Sequence, residues 1–268
     1  MSNLLLYLSL IKSPILKVTF LGTGTSQGIP VIACQCNVCK SEDLHDKRLR
    51  SSVLIEIGDM NLVIDSGPDF RQQMLKHQVS KLDGILFTHE HKDHIAGLDD
   101  VRAFNWITKK QVNVYGEQRV LEAVKVEFSY AFKDKPYPGV PRINLNTINE
   151  APFSIGDVEI IPIRGQHMHL PVLGFRIGNF SYLTDFNHIP ASSLEKIKGS
   201  EVVVINGVRK EPHVSHFSLD EAVNVLKSIH PTKGYITHIS HQLGLYSEEN
   251  PNLPPQIELA YDILTIEL

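Results

Sequence analysis

Cysteine is scarce in this 268-residue chain: there are three, Cys34, Cys36 and Cys39, all inside "ACQCNVCK". An odd, tightly clustered set is no disulfide framework. Long apolar runs are also missing. The most apolar stretch lies in "MSNLLLYLSLIKSPILK" at the start, and it is too short to cross a bilayer. It follows no positively charged segment and precedes no clear small-residue cleavage site. Residues 1–15 are therefore read as an N-terminal extension, no membrane partner is expected, and a cytoplasmic location is the default. Nor is there an excess of charge of either sign, since the net charge is −4. That balance carries no nucleic-acid footprint, so such a partner is disfavoured, although a local basic groove stays open. No repeat, low-complexity tract or flexible linker divides the chain.

What is present is an ordinary globular composition, 42% hydrophobic and 21% charged, with strands and helices interleaved from end to end. "LKVTFLG", "SSVLIEIG" and "NLVIDSG" read as strands closed by glycine. "PDFRQQMLKHQ" reads as a helix and "DGILFTH" as a buried strand. "HIAGLDDVRAFNWI" and "EQRVLEAVKVEFSYAF" read as helices on either side of strand "VNVYG". The second half repeats the theme: strand segments "FSIGDVEIIPI" and "LGFRIGNFSYLTD", helix "SSLEKIKG", strand "EVVVING", helix "SLDEAVNVLKSIH" and strand "KGYITHIS". The proline-rich "KDKPYPGVPRINLN" reads as a crossing between the halves. Sheets covered by helices in one compact unit follow.

Histidine is plentiful, with thirteen in the chain. Three of them fall in "THEHKDH", residues 88–94, where the strand "GILF" runs out. Imidazoles two apart on extended chain share a face, so His89 and His91 can grip one ion. Asp93 and His94, on the turn into a helix, face a neighbouring position. The HExxH reading fails because Asp93 stands where the second histidine would be. Further candidates sit at similar strand ends: Asp185 after "FSYLT", His238 after "GYIT", and His167 or His169 after "VEIIPIRG". Asp65, ending "LVID", suits an orienting role behind the ligands. The three cysteines suit a tetrahedral zinc that lacks one ligand. Glycine-rich "GTGTSQG" lacks the lysine of a phosphate-binding loop and reads as a tight turn into the cysteine loop.

These motifs resemble the metallo-β-lactamase superfamily. "THEHKDH" matches its HxHxDH signature, "IDSG" before it and "YLTD" and "ITH" after it stand in the family's order, and the resemblance runs from about residue 16 to the C-terminus. The resemblance implies a single domain over residues 16–268 with a four-layer αβ/βα sandwich. It also implies two divalent ions, zinc or manganese. His89, His91 and His167 would hold one, Asp93, His94 and His238 the other, and Asp185 would bridge them. Relatives place the third histidine seven residues before the glycine of "LPVLGF", here Gly174, which selects His167 over His169.

A narrower resemblance, carried by "GTGTSQGIPVIACQCNVC" and "THISHQ", is to the phosphoribosyl cyclic phosphodiesterases of the carbon–phosphorus lyase pathway. It implies a structural zinc whose fourth ligand is His241, three residues after His238. "HFSLDEA" resembles the segment that supplies the general acid, here His216; His216 and, in the metal motif, Asp93 are the candidate catalytic residues. Arg209 and His213 are the candidate phosphate contacts. The implied activity is hydrolysis of a small phosphodiester, cyclic ribose or nucleotide-like, by a metal-bridged hydroxide. Two alternatives remain. One is a tRNA 3′-end endonuclease, whose usual glycine- and lysine-rich arm has no counterpart here. The other is a non-catalytic carrier in cofactor biosynthesis. A homodimer is left open.

Overall fold

The computed structural model describes residues 15–268, so the reading of residues 1–15 as an extension falls almost wholly outside it. The first half supplies β1 (Leu16–Gly22), β2 (Ser52–Ile57), β3 (Met60–Ile64), β4 (Gly84–Leu86), β5 (Val112–Gly116) and β6 (Ile143–Thr147). The second supplies β7 (Phe153–Ile155), β8 (Val158–His167), β9 (Leu170–Ile177), β10 (Phe180–Leu183), β11 (Val202–Asn206), β12 (Lys233–Thr237) and β13 (Ile257–Leu259). A last strand, β14 (Thr265–Glu267), returns to pair with β1. Two seven-stranded sheets result, in the orders β14-β1-β2-β3-β4-β5-β6 and β13-β12-β11-β10-β9-β8-β7.

Hydrophobic burial explains the layering. β11 is buried at every position, as expected of a strand covered on both faces, whereas β5 alternates buried and half-buried residues. Val18, Phe20, Ile55, Ile64, Phe175 and Tyr182 belong to the core cluster that joins residues of both sheets. Outside the first sheet lie α2 (Phe70–Lys76), α4 (Arg102–Thr108) and α5 (Gln118–Glu127). Outside the second lie α6 (Ala191–Ile197) and α7 (Leu219–Ile229), the latter opened by a Ser218–Glu221 capping box. Two one-turn helices, α1 (Asn37–Lys40) and α3 (Lys92–Ile95), sit in the cysteine and histidine loops. This is the αβ/βα sandwich that the motifs implied. Among the described residues no helix is long and apolar enough to cross a membrane.

Four sequence readings need correction. The expected helix "HIAGLDDVRAFNWI" is broken into α3, a 3-10 turn at Leu98–Val101, and α4. The expected helix "EQRVLEAVKVEFSYAF" stops at Glu127, and a 3-10 turn follows at Ser129–Phe132. "FSIGDVEIIPI" and "LGFRIGNFSYLTD" are each hairpins, turned at Gly156 and Gly178, both with φ +56°. Finally, the proline-rich crossing ends as β6, which pairs in parallel with β5. The crossing to the second sheet comes only after it.

The break before α4 has a steric cause. Ser66 N donates to His94 O at 2.7 Å and Gly97 N donates to Ser66 O at 2.8 Å, which presses the end of β3 against the histidine loop. A Cβ on Gly67 would lie 2.0 Å from Asp93 O, and one on Gly97 would lie 2.0 Å from Gly67 O. Backbone carbonyls cannot yield that distance. Gly67→Ala is expected to cost about 1–3 kcal/mol through overpacking. A thermal melt should show a drop of a few degrees, and an unchanged melting temperature would disprove this close approach.

Candidate metal centre

The parallel strands β3, β4 and β5 in one sheet, and β10, β11 and β12 in the other, end at a shared edge. Side chains just past these ends converge. Asp65, Asp185 and His238 each follow a strand and adopt left-handed backbone, with φ of 63°, 62° and 55°. That sharp turn swings each side chain inward instead of along the strand. The donor atoms of His89, His91 and His167 lie within 4.8 Å of one another, and so do those of Asp93, His94, Asp185 and His238. A third grouping, His167 with Asp185 and His216, overlaps both. The Asp185 carboxylate lies between the groups: Oδ1 is 3.2 Å from His238 Nε2 and Oδ2 is 3.3 Å from His94 Nε2.

The imidazoles are oriented from behind. His94 Nδ1 donates to Asp65 Oδ2 at 2.7 Å, and His167 Nδ1 donates to Ser215 O at 2.7 Å. Thr88 Oγ1 already donates to Asp65 Oδ2, so it accepts from His89 Nδ1 at 3.0 Å. Ser51 Oγ already donates to Gly24 O, so it accepts from His238 Nδ1 at 3.1 Å. With the Nδ1 atoms of His89, His94, His167 and His238 engaged behind, the Nε2 of each turns toward the centre, where an ion could take its lone pair. The buried Nε2 atoms of His89 and His94 have no hydrogen-bond partner. Buried ring nitrogens with no partner, in a cluster of imidazoles and carboxylates, are what metal ligands look like without their ion, and the residues fit a divalent metal.

Electrostatics agree. Burial holds the pKa of His89 well below the usual value and lowers that of His238, so both are neutral imidazoles able to ligate. Around His94, burial opposes charge but the carboxylates of Asp185, Asp93 and Asp65 outweigh it and raise its pKa well above the usual value. Burial pushes the Asp185 carboxyl up, yet His238 and His94 override this and hold it well below the ordinary carboxylate range. The pocket attracts a cation.

At its mouth lies a cavity of about 450 Å³ lined by His91, His167, Met168, His169, Leu170 and Ser215. His169 therefore faces the opening, while His167 points inward. His216 packs behind it, its ring 4.5 Å from His167 and 4.9 Å from His238. Its buried Nδ1 is unpartnered and lies 3.7 Å from Asp185 Oδ1. Burial depresses its pKa to about 3. His213 stacks 5.0 Å from it and accepts from Ser215 N. Arg209 is placed otherwise than expected. Its guanidinium donates to Glu211 O, Pro212 O and Gln242 Oε1, and so holds the loop that carries His213 and His216.

A second donor group joins Cys34, Cys36, Cys39 and His241. Their sulfurs lie 3.3, 3.4 and 3.6 Å from His241 Nδ1. Tetrahedral zinc with ordinary Zn–S and Zn–N bonds separates sulfur from nitrogen by roughly 3.5 Å, so the spacing fits. Cys39 N–H donates to Cys36 Sγ and lowers that thiol to about 6, while burial pushes Cys39 up to about 11. Sequence reasoning missed Ser51, Thr88 and Ser215 as orienting groups. Thr88 stood in plain view as the first letter of "THEHKDH". Nothing in the sequence marked Ser51 or the Ser215 carbonyl.

Known proteins share this architecture. The model of the beta-lactamase superfamily domain matches residues 60–239. An octanoyltransferase of Porphyromonas gingivalis is 40% identical over 251 residues, covering 92% of this chain but 50% of that protein. A ribonuclease Z of Nanoarchaeum equitans is 25% identical over 173 residues, 60% of this chain and 53% of that protein. The chain thus spans about half the length of these relatives. The crystal structure of a diphosphatase from the PhnP family superposes with a TM-score of 0.89 at 36% identity, covering 95% of this chain and 97% of that one.

Replacing one cysteine tests the second donor group. Cys36→Ser is expected to leave the protein about one zinc short per chain in elemental analysis, with a lowered melting temperature. Full zinc content and unchanged stability would remove the assignment.

Proposed function

Because the chain belongs to the metallo-β-lactamase superfamily and is a metal-dependent hydrolase that resembles the PhnP-family diphosphatase, we propose that residues 16–268 form a single domain hydrolysing a small phosphodiester. The observation that carries this reading is the pair of fused donor groups opening on a small cavity. In this reading His89, His91 and His167 hold one divalent ion, Asp93, His94 and His238 hold a second, and Asp185 serves both. Such ions, zinc or manganese, supply Lewis acidity and a nucleophilic water at neutral pH. Cys34, Cys36, Cys39 and His241 hold a structural zinc.

The protein's own groups do the rest. The orienting partners Asp65, Thr88, Ser51 and the Ser215 carbonyl keep His94, His89, His238 and His167 each in one tautomer and one rotation. His216, beside Asp185 and next to the mouth, is the proton donor to the leaving oxygen. Burial favours its neutral form, and an anionic phosphate beside it would favour the charged one. His213 and the mouth residue His169 are the candidate contacts for that anion; Arg209 acts by holding the loop that carries His213 and His216. A diphosphate bond is the second reading, favoured by the activity named for the PhnP-family relative. Assays with bis-p-nitrophenyl phosphate, a 2′,3′-cyclic nucleotide, a nucleoside diphosphate ester and precursor tRNA separate these readings. Turnover of precursor tRNA alone would overturn the small-substrate proposal.

Asp185→Ala removes the carboxylate shared by the two groups. Activity should fall by orders of magnitude and metal content should drop, while the fold persists on its unchanged core. Wild-type turnover with both ions retained would exclude the shared role.

His216→Ala discriminates more finely. As the proton donor, His216 should be worth about 10²–10⁴-fold on a diester with a poor, alkoxide-like leaving group. The loss should be far smaller with p-nitrophenolate, which departs unprotonated, and metal content should be unchanged. Equal losses on both substrates, or the loss of an ion, would instead make His216 a positioning group or a ligand, as its grouping with His167 and Asp185 allows.

A further inference from the structure

Away from the metal centre, the face formed by α4 and the loop before β6 carries two adjoining grooves that share Val140. One, of about 640 Å³, is lined by Arg102, Tyr130, Lys133, Lys135 and Tyr137 among others. The next, of about 220 Å³, includes Trp106, Lys109 and Arg142. Both aromatic stations are open: Tyr137 is 79% exposed and Trp106 is 70% exposed. Among the described residues, Lys109, Lys133, Lys135 and Arg142 make no ion pair. Lys109 Nζ instead lies 5.4 Å over the Trp106 ring. Opposing charge is modest. Asp99 binds Arg102 and accepts from the Tyr130 hydroxyl, and Asp134 lies in the same loop. In a chain of net charge −4, a run of unpaired cations beside exposed ring faces is a localised feature.

We propose that these grooves bind a short single-stranded stretch of nucleic acid, with phosphates on Lys133, Lys135, Lys109 and Arg142 and bases stacked on Tyr137 and Trp106. Two exposed rings line adjoining grooves that meet at Val140 and offer faces for bases, and the cations lining the same grooves suit the phosphates. A flat-ringed polyanion satisfies both features. An acidic peptide uses only the charge, and a neutral aromatic ligand uses only the rings. The proposal does not rest on the hydrolytic reading, because binding here needs none of the metal-centre residues.

Trp106 is the only tryptophan, so selectively excited tryptophan fluorescence reports this face alone. Titration of the intact protein with nine-nucleotide oligo-U and oligo-dT should give saturable quenching. Affinity should fall with salt at a slope of about −2 to −3 in log–log form, as expected for three or four phosphates. The exposed-loop pair Lys133→Glu/Lys135→Glu should weaken binding by more than tenfold, and Tyr137→Ala by about tenfold. Both variants should retain wild-type metal content and hydrolysis of a small chromogenic diester. A uridine monophosphate arm that binds far more weakly than the nonamer supports a strand across both stations. Three results would overturn the proposal: no saturable quenching, equal quenching by poly-glutamate, or affinity indifferent to the lysine reversals.

Discussion

Asp65 has no exposed surface, and both its carboxylate oxygens are spent on the histidine loop. Oδ1 accepts from Thr88 N at 2.9 Å, while Oδ2 accepts from Thr88 Oγ1 and from His94 Nδ1. Burial alone raises its pKa, and the His94 interaction with the Thr88 donors works against this. A buried carboxylate is tolerable only when its hydrogen bonds are complete. Much of the centre's geometry depends on meeting that condition. It fixes the exit of β4 relative to β3, sets the rotation of His94, and makes Thr88 the acceptor for His89. The closely packed glycines, Gly67 and Gly97, let the two loops come near enough for it.

The same requirement explains why much of the centre could be read from sequence. A constellation of buried charge needs fixed residue types at fixed offsets. "THEHKDH", "IDSG", "YLTD" and "ITH" are therefore visible as strings, even though 149 positions separate His89 from His238. The strands were legible for a related reason: runs such as "EVVVING" are buried on both faces and can be little else. Helix length was less legible. "HIAGLDDVRAFNWI" has helical periodicity throughout, but the approach of Gly97 to the Gly67 carbonyl is a tertiary constraint with no local signature. The loop-holding role of Arg209 was hidden for the same reason. Its type fits an anion, but its partners are carbonyls of its own loop and Gln242, which no spacing rule reveals.

The cysteine loop shows how the two donor groups depend on each other. Between His238 and His241 the chain runs through Ile239, whose N donates to Thr23 O and whose O accepts from Thr25 N. Residues 23–25 lead directly into the turn before Cys34. His241 in turn faces the three sulfurs, so the short segment between the two histidines is clamped at both ends. Ser51 adds a second tie, because one hydroxyl links Gly24 O to His238 Nδ1. Beneath it, Arg48 is fully buried; it donates to Thr23 Oγ1 and Ala260 O, and burial lowers its pKa to about 10. Asp262, which accepts from Thr23 Oγ1 and Leu49 N, has its carboxyl pushed up to about 6 by the same burial.

That buried network gives the loop a reason to take the metal proposed for it. A segment of short turns, with few apolar side chains beyond Ile29, Val38 and Leu245 to pack, cannot hold a charged network in place by hydrophobic contact. A metal ion held by Cys34, Cys36, Cys39 and His241 would close the loop onto His241 and supply coordination bonds in place of the missing core. The rigidity is then transmitted three residues back along the backbone, to His238 and the shared carboxylate of Asp185. On this view the cysteine loop is the foundation of one wall of the catalytic centre, and the small distance between His238 and His241 is the feature that makes it so.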